Sequence, residues 1–281
     1  MRKGMENVFQ KFFYPLDARE FRSQYFGKRP LYLGGHPDRT SGLFSLSQFY
    51  ECLIECENVR VVFDGLKQAR ISPGDAKDMF DAGGTICATG VERGNAALRE
   101  FLKAIKAELN FTGHLSFRAY LSPPGAGFAP HYDPRVIATM QIEGSKKWFY
   151  ANSPFCEFPL DSSPIPLPQR YLTFVENAGH NQCKLKPGDL LCLPAGTIHW
   201  AEAGSDSLSL NLAFDYIGDS IAERIARHVR NATECHPRSR QAVFLPLSVE
   251  SKTDVDTAIN LAIEALETLR HCSEQLYETQ R

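Results

Sequence analysis

Apolar residues in the first third of the chain recur at three- and four-residue intervals, interrupted by two short extended segments. This helical spacing predicts three helices, over residues 17–28, 45–56 and 95–109. Asp17 is suited to cap the first of them, because its short carboxylate can accept a backbone N–H of the first turn. Residues 29–33 and 60–64 favour strands.

From residue 114 onward the pattern changes to short apolar segments separated by Gly and Pro. The predicted strands are 115–121, 136–142, 147–151, 171–175, 189–193, 198–203 and 208–214. Many short strands at close spacing favour a β-sandwich or barrel. Residues 152–170 hold five prolines and predict a loop long enough to cover a barrel mouth.

After residue 215 the pattern is helical again, with helices predicted over 219–229 and 254–276. The second helix carries an apolar stripe made of Ala258, Leu261, Ala262, Ala265, Leu266 and Leu269. A stripe of this length has to bury against something. Docking on its own chain and pairing with a second copy both stay open.

Composition narrows the class without naming a function. A chain of 281 residues suffices for one large domain, or for one domain with a small appendage. The net charge of −2 gives no clear signal for nucleic acid, although a local basic patch stays open. No apolar run approaches the ~20 residues that span a bilayer, so no membrane partner is expected. The polar N-terminus and eight scattered cysteines without a Cys-x-x-Cys pair predict a reduced, cytoplasmic location.

The most informative residues chemically are His131-Tyr132-Asp133 and, much later, His199. Two imidazoles and one carboxylate can cap one face of a ferrous ion and leave the other face open, as in non-haem iron oxygenases. His131 and Asp133 point the same way if the segment is extended, and they follow a Pro/Gly loop over 123–127. His199 follows a tight turn over 194–196. Spacing alone leaves a metal site and a pair of structural histidines open.

Several motifs taken together resemble the JmjC-type cupin oxygenases. They are the segments 119–125, 131–133, 141–148, 186–190 and 194–199, and the opening 26–31. The sequence is most similar to the ribosomal oxygenases, to the asparaginyl hydroxylase of hypoxia-inducible factor and to the wider cupin-like hydroxylases. The resemblance runs through most of residues 10–216.

This resemblance implies a mainly β fold with helical decoration. Its core would be a double-stranded β-helix, the cupin or jelly-roll architecture, followed by C-terminal helices. We expect an oxygenase domain with a helical N-terminal part over 1–216, and a C-terminal helical segment over 217–281 that forms homodimers, as in relatives with similar tails. The ribosomal oxygenases carry a further winged-helix domain after these helices, and the chain stops too early for one, which weakens a specifically ribosomal assignment.

The resemblance also implies a cofactor set of Fe(II), 2-oxoglutarate and O2. His131, Asp133 and His199 would hold the iron and form the catalytic centre. The far carboxylate of 2-oxoglutarate would pair with Lys146, fifteen residues after the first ligand, where the family places a Lys or Arg. Tyr120 lies near the position of a family tyrosine that helps to hold the co-substrate, although the interval to the first histidine is one residue shorter than in the ribosomal oxygenases.

Three further residues are candidates of lower specificity. Asn211 alternates with Leu210 and Leu212, so an inward-facing Asn211 would contact 2-oxoglutarate or make a structural hydrogen bond. Arg118 alternates with Tyr120 and is expected to face a substrate cavity. His180 lies in a turn-rich segment and is expected at the surface.

The predicted function is a 2-oxoglutarate-dependent dioxygenase that hydroxylates a C–H bond of an amino-acid side chain in a protein or peptide. One alternative is the same chemistry on a free amino acid or natural-product intermediate. Another is a metal-binding cupin that is not an oxygenase, which gives no special role to Lys146.

Overall fold

Two antiparallel sheets form the centre of the part of the chain that the structure describes. Their strands are β1 (Leu31–Leu33), β2 (Asn58–Phe63), β3 (Lys67–Arg70), β4 (Thr85–Thr89), β5 (His114–Ser122), β6 (Gly127–His131), β7 (Val136–Glu143), β8 (Lys146–Ala151), β9 (His180–Leu185), β10 (Leu190–Leu193), β11 (His199–Ala203) and β12 (Ser207–Asp215). The larger sheet has the order β1-β10-β7-β12-β5-β4-β2-β3, and the smaller one has the order β6-β11-β8-β9.

Helices surround the sheets and follow them. They are α1 (Val8–Phe13), α2 (Ala18–Glu20, continued by a π-helical turn Phe21–Tyr25), α3 (Leu46–Cys52), α4 (Ala76–Asp81), α5 (Ala96–Leu109), α6 (Gln169–Ala178), α7 (Ile221–Glu234) and α8 (Val249–Glu278). The computed structural model describes residues 8–216, 220–237 and 249–278. Asp17 caps α2 as predicted, since its Oδ1 accepts the Glu20 N–H at 2.7 Å.

The two sheets pack face to face around an apolar core. One buried cluster joins Ile137, Leu191 and Leu193 of the larger sheet to Trp148, Tyr150 and Leu185 of the smaller sheet. Strand β12 lies between β5 and β7, and Leu208, Leu210 and Leu212 on it are buried. This arrangement is the predicted double-stranded β-helix with helical decoration.

The predicted strand over 171–175 is wrong, because these residues belong to helix α6. Tyr, Thr, Phe and Val favour strands as single residues. Tyr171 and Val175, however, are four positions apart and are both buried, which is the spacing of one helix face.

The sequence analysis also missed strands that carry little apolar signal. All four residues of β3 are exposed, and β9 exposes its first three residues. Each strand lies at the edge of its sheet, where one ladder of backbone hydrogen bonds suffices. Such strands depend on the neighbouring strand more than on their own side chains.

The chain divides into two units, Met1–Asp215 and Tyr216–Arg281. Helix α7 begins with a capping box, in which Ser220 and Glu223 each bond the other's backbone N–H. Part of the stripe predicted on α8 is shielded, with Ala265 buried, whereas Leu266 remains 44% exposed. The predicted helix start at 219 lies outside the described residues. None of the described helices is both long and apolar enough to cross a membrane.

Candidate metal centre and its cavity

The two histidines of the motif lie opposite each other on paired strands. His131 ends β6, His199 begins β11, and the two residues are register partners with ring centroids 4.4 Å apart. Asp133 follows in the turn after β6. Its carbonyl accepts the Gly196 N–H at 2.9 Å, which fastens this turn to the loop before His199. Pairing of β6 with β11 therefore brings together two histidines that are 68 positions apart in the sequence.

Both imidazoles are held in the same way. His131 Nδ1 lies 2.8 Å from the Ala129 carbonyl, and His199 Nδ1 lies 2.8 Å from the Thr197 carbonyl. When each Nδ1 carries the proton and donates it to that carbonyl, each Nε2 keeps a lone pair for a ligand. A backbone carbonyl behind the ring is the usual way to fix a metal-binding histidine.

One ligand atom from each of His131, Asp133 and His199 lies within 4.8 Å of the others. Burial raises the pKa of Asp133, but His131 and His199, followed by two arginines, outweigh this and lower it below its usual value. Burial, followed by His131, lowers the pKa of His199 to about 4. The trio therefore offers two imidazole nitrogens and a carboxylate, a donor set suited to a divalent first-row metal.

Polar side chains in regular rows cover the face of the larger sheet behind this trio. Register pairs Cys87 of β4 with both Arg60 and Tyr120, and pairs Tyr120 with Ser209. The next row holds Thr89, Arg118, Asn211 and Thr139. Paired residues lie on the same face of a sheet, and so do residues two positions apart. The rows therefore form one polar surface inside an otherwise apolar fold.

A cavity of about 620 Å³ lies in front of this polar surface, and His131, Asp133 and His199 line it. Lys146, Tyr120, Asn211 and Arg118 line it as well. The volume is within the ~300–1,000 Å³ that small-molecule sites commonly occupy. The structure thus brings together the six residues that sequence analysis selected for metal and co-substrate, together with the residue expected to face the substrate.

Lys146 is a buried cation without an anionic partner among the described residues. Its side chain is 3% exposed, and its Nζ donates to the Ser122 hydroxyl at 2.9 Å. Burial lowers the pKa of Lys146 to about 8. The adjacent Lys147 is exposed, as expected from alternation along a strand. A buried ammonium whose only hydrogen bond to the described residues goes to one hydroxyl is costly, so this position is suited to an added carboxylate.

Tyr120 and Asn211 flank the same space. The Tyr120 ring packs edge-on against Phe128, with 5.6 Å between the centroids, and burial raises the pKa of its hydroxyl to about 12. Asn211 Nδ2 donates to the Thr139 hydroxyl at 2.9 Å, while the buried Oδ1 has no partner among the described residues. Asn211 therefore makes the structural bond and retains one free amide atom.

The sequence does not predict Arg60 as a lining residue of the cavity, nor its register partner Cys87 on the same polar face of the sheet. Both lie on β2 and β4, in a part of the chain where no motif resembles a binding site. The alternation Thr85-Ile86-Cys87-Ala88-Thr89 was the available signal, because its odd positions are the more polar ones. His180 is exposed, as expected, and contacts Trp200 and Phe149 away from the cavity.

The comparisons with known proteins agree with this geometry. Residues 100–220 match a family model described as JmjC domain. The protein YxbC of Bacillus subtilis, described as uncharacterized, is 24% identical over 235 residues, which cover 74% of this chain and 71% of YxbC. Ribosomal oxygenase 1 of Danio rerio is 25% identical over 234 residues, 75% of this chain. The match spans only 40% of that oxygenase's own length.

A solved structure has a similar fold. YcfD, a ribosomal oxygenase from Escherichia coli determined in complex with cobalt and 2-oxoglutarate, superposes with a TM-score of 0.61. The superposition covers 92% of this chain and 68% of YcfD at 15% sequence identity. At this identity the likeness supports the fold, and the chemistry of the site has to be argued from the residues themselves.

Proposed function

We propose that this chain, whose residues 100–220 match the JmjC domain model, is a 2-oxoglutarate-dependent non-haem iron oxygenase that hydroxylates an amino-acid side chain of a protein or peptide. The observation that carries the proposal is the joint presence, in one cavity, of the two-histidine, one-carboxylate trio and a buried, unpaired Lys146. A metal-binding cupin without oxygenase chemistry has no use for that lysine.

The trio fits Fe(II). His131 and His199 would bind through Nε2, because a backbone carbonyl engages each Nδ1. Asp133 would supply the negative charge that offsets part of the cation's charge. The Gly196 N–H holds the Asp133 backbone, so the carboxylate is anchored from behind. Three ligands on one side leave the remaining coordination positions facing the cavity.

The polar surface of the larger sheet is suited to bind 2-oxoglutarate. Lys146 Nζ and the Ser122 hydroxyl would bind the far carboxylate of 2-oxoglutarate, and Thr85, whose hydroxyl lies 3.1 Å from Ser122 Oγ, supports that group. The free amide atom of Asn211 would contact the keto-acid end. The Thr139 hydroxyl can donate as well as accept, so the amide is free to present N–H2 to a carboxylate.

Bound Fe(II) with 2-oxoglutarate and O2 supplies the oxidising power that places one oxygen atom in a C–H bond and the other in succinate, with release of CO2. The protein positions the reactants and keeps water out. Trp148 stacks on His199 with 5.7 Å between ring centroids, and Phe128 lies 5.6 Å from the His131 ring. These rings shield the candidate ligands from solvent.

Assembly and location extend the proposal. Helix α8 exposes Ile259, Ile263 and Leu266 to 44–50%, which supports pairing of this helix with a second copy. The described cysteines are free thiols, which supports a reducing, cytoplasmic location.

The test is peptide-stimulated conversion of 2-oxoglutarate to succinate in the presence of Fe(II) and O2. We expect the wild-type chain to form succinate and a peptide product heavier by one oxygen atom. Asp133→Ala should abolish both products. His180→Ala, which changes an exposed histidine outside the cavity, should retain them. Succinate formation that persists in Asp133→Ala would contradict the proposal.

A further inference from the structure

The cavity carries more positive charge than its proposed cofactors need. Its lining holds Arg60, Arg118, Arg135 and Lys146, whereas Asp133 is the one carboxylate among the described lining residues. The two charges of Fe(II) and the two of 2-oxoglutarate cancel, and Lys146 and Asp133 offset each other. Arg135 pairs with Asp215 at 3.5 Å. A net charge of +2 therefore remains in the lining, where Arg60 and Arg118 both act on the single carboxylate of Asp133.

The case for a missing anionic partner is stronger for Arg118 than for Arg60. Arg118 lies on the polar face of β5, beside Asn211 in the register and two positions from Tyr120. Its Nε is buried without a hydrogen-bond partner, and no carboxylate of the described residues lies within 4 Å of its guanidinium. A donor nitrogen that is buried without a hydrogen-bond partner is costly unless a ligand restores the bond.

Arg60 stands in the adjoining row of the same face. Cys87 of β4 pairs with both Arg60 and Tyr120, so Arg60 lies in the row of Tyr120, one strand beyond Cys87. Arg118 lies in the next row. The Nε of Arg60 is likewise buried and lacks a hydrogen-bond partner among the described residues. Planar guanidinium groups bind oxyanions through two parallel N–H bonds, so the pair is suited to one anionic group.

We propose that the substrate places a carboxylate between Arg118 and Arg60, and that this group selects the substrate. The inference rests on the proposed function, because it assigns to 2-oxoglutarate the site at Lys146 and to the substrate the remaining charge. An unmodified polypeptide carries carboxylates on Asp and Glu side chains and at its C-terminus. The substrate is therefore an acidic side chain or a terminal carboxylate, bound with the C–H bond near the open face of the metal.

The experiment compares fluorescently labelled peptide libraries in three arms. The first arm has Asp or Glu at the central position with both termini blocked. The second arm has Asn or Gln there, and the third has Asn or Gln with a free C-terminal carboxylate. Binding is measured by anisotropy on protein loaded with Zn(II), with and without 2-oxoglutarate, and succinate formation is measured separately with Fe(II).

We expect an acidic arm to bind at least about tenfold more tightly than the blocked amide arm, a difference of ~1.4 kcal/mol. Whichever acidic arm binds identifies the source of the carboxylate. Arg118→Gln should remove this preference and leave 2-oxoglutarate affinity within about twofold. Arg118→Lys keeps the positive charge but lacks the planar guanidinium, and it should retain part of the preference for the acidic peptide. Arg19→Gln, at an exposed position, is the matched control.

Equal binding of the acid and amide arms, or no acid-specific binding at millimolar peptide, would overturn the inference. So would an Arg118→Gln variant that loses 2-oxoglutarate affinity alone, because Arg118 would then belong to the co-substrate. A wild-type chain that binds no 2-oxoglutarate would sink the proposed function instead. The difference in affinity between the acidic and the amide peptides, measured without 2-oxoglutarate, would still show whether the cavity binds a substrate carboxylate.

Discussion

At the scale of single residues, the site is built from groups that the fold holds in unfavourable surroundings. Lys146 is buried beside hydroxyl groups, and Arg118 has a buried Nε that lacks a partner among the described residues. Each such group lowers the stability of the chain without ligands and gains most when a ligand arrives. These positions therefore show a trade between two quantities: they lower the folding stability of the ligand-free protein and raise its affinity for ligands.

Lys146→Met tests this trade directly. The variant removes an uncompensated buried charge, so we expect the ligand-free protein to melt at an equal or higher temperature than the wild type. Affinity for 2-oxoglutarate should fall on the order of 100-fold, because losing one partner of a buried charge pair costs about 2–5 kcal/mol. Lys147→Met, at the exposed neighbouring lysine, is the matched control for both calorimetry and melting. Unchanged 2-oxoglutarate affinity in Lys146→Met would refute the assignment.

The pH dependence of co-substrate binding follows from the same residue. Burial lowers the pKa of Lys146 to about 8, so the ammonium that we propose as the partner of the carboxylate is present below this pH and is lost above it. We expect 2-oxoglutarate affinity to be flat from pH 6 to about 7.5 and to weaken above about pH 8, by up to tenfold per pH unit. The unfolded lysine keeps its proton up to its ordinary pKa of about 10.4. The free energy of unfolding should therefore rise between those two pKa values in the wild type relative to Lys146→Met.

At the scale of elements, strand β6 is held from outside by the β2–β3 hairpin. Gly65, in the hairpin turn, accepts the Ala129 N–H with its carbonyl at 3.1 Å, and the Ala129 carbonyl in turn holds His131. Gly65 has φ of +69°, and a Cβ there would lie 2.7 Å from Ala129 N. The turn can approach the strand this closely only because the residue is glycine.

Gly65→Ala should therefore loosen the metal site from a distance. The left-handed backbone alone costs a side chain about 1–2 kcal/mol, and Gly42→Ala is the matched control, with φ of +67° and nothing within 4 Å of the added Cβ. We expect both variants to lose similar stability from strain. Only Gly65→Ala should also weaken Co(II) binding about tenfold in a chelator competition, because it displaces the support of a ligand. Equal metal affinity in the two variants would show that the hairpin does not position His131.

The sequence pattern predicts strands well where at least one face of the strand is continuously buried. Strands β5, β7 and β12 were predicted within one residue at each end, because one or both of their faces are apolar. The sequence predicts a strand within helix α6, because its residues individually favour strands. The burial of Tyr171 and Val175, four positions apart, is what identifies the helix. The metal trio was predictable from motif and resemblance. The position of Arg60 was not predictable, since Arg60 joins the row of Tyr120 only through Cys87 of β4, a strand that the sequence does not predict.

At the scale of the whole molecule, the C-terminal unit leaves an apolar face on α8. Ile259, Ile263 and Leu266 follow a helical spacing and are 44–50% exposed. An exposed stripe of this kind is typical of a surface that another chain covers. Pairing with a second copy would bury it without any further partner.

Light scattering on a size-exclusion column tests the proposed homodimer. We expect the wild-type chain at micromolar concentration to have twice the mass of one 31.5 kDa chain. Ile263→Glu should shift it to the monomer, because a carboxylate in an apolar interface is costly. Glu264→Lys, at an exposed position of the same helix that points away from Ile259, Ile263 and Leu266, is a charge-changing control and should remain dimeric. A monomeric wild-type chain would contradict the assignment.

We propose that one cavity binds Fe(II) through His131, Asp133 and His199 and binds 2-oxoglutarate through Lys146. The most direct test is the visible charge-transfer band that appears when Fe(II) and 2-oxoglutarate are added together without oxygen, since the band requires both to occupy adjoining sites. We predict the band in the wild type and in His180→Ala, and its loss in Asp133→Ala and at sub-saturating 2-oxoglutarate in Lys146→Met. A wild-type chain that binds Fe(II) but shows no band at saturating 2-oxoglutarate would contradict the binding of both in one cavity.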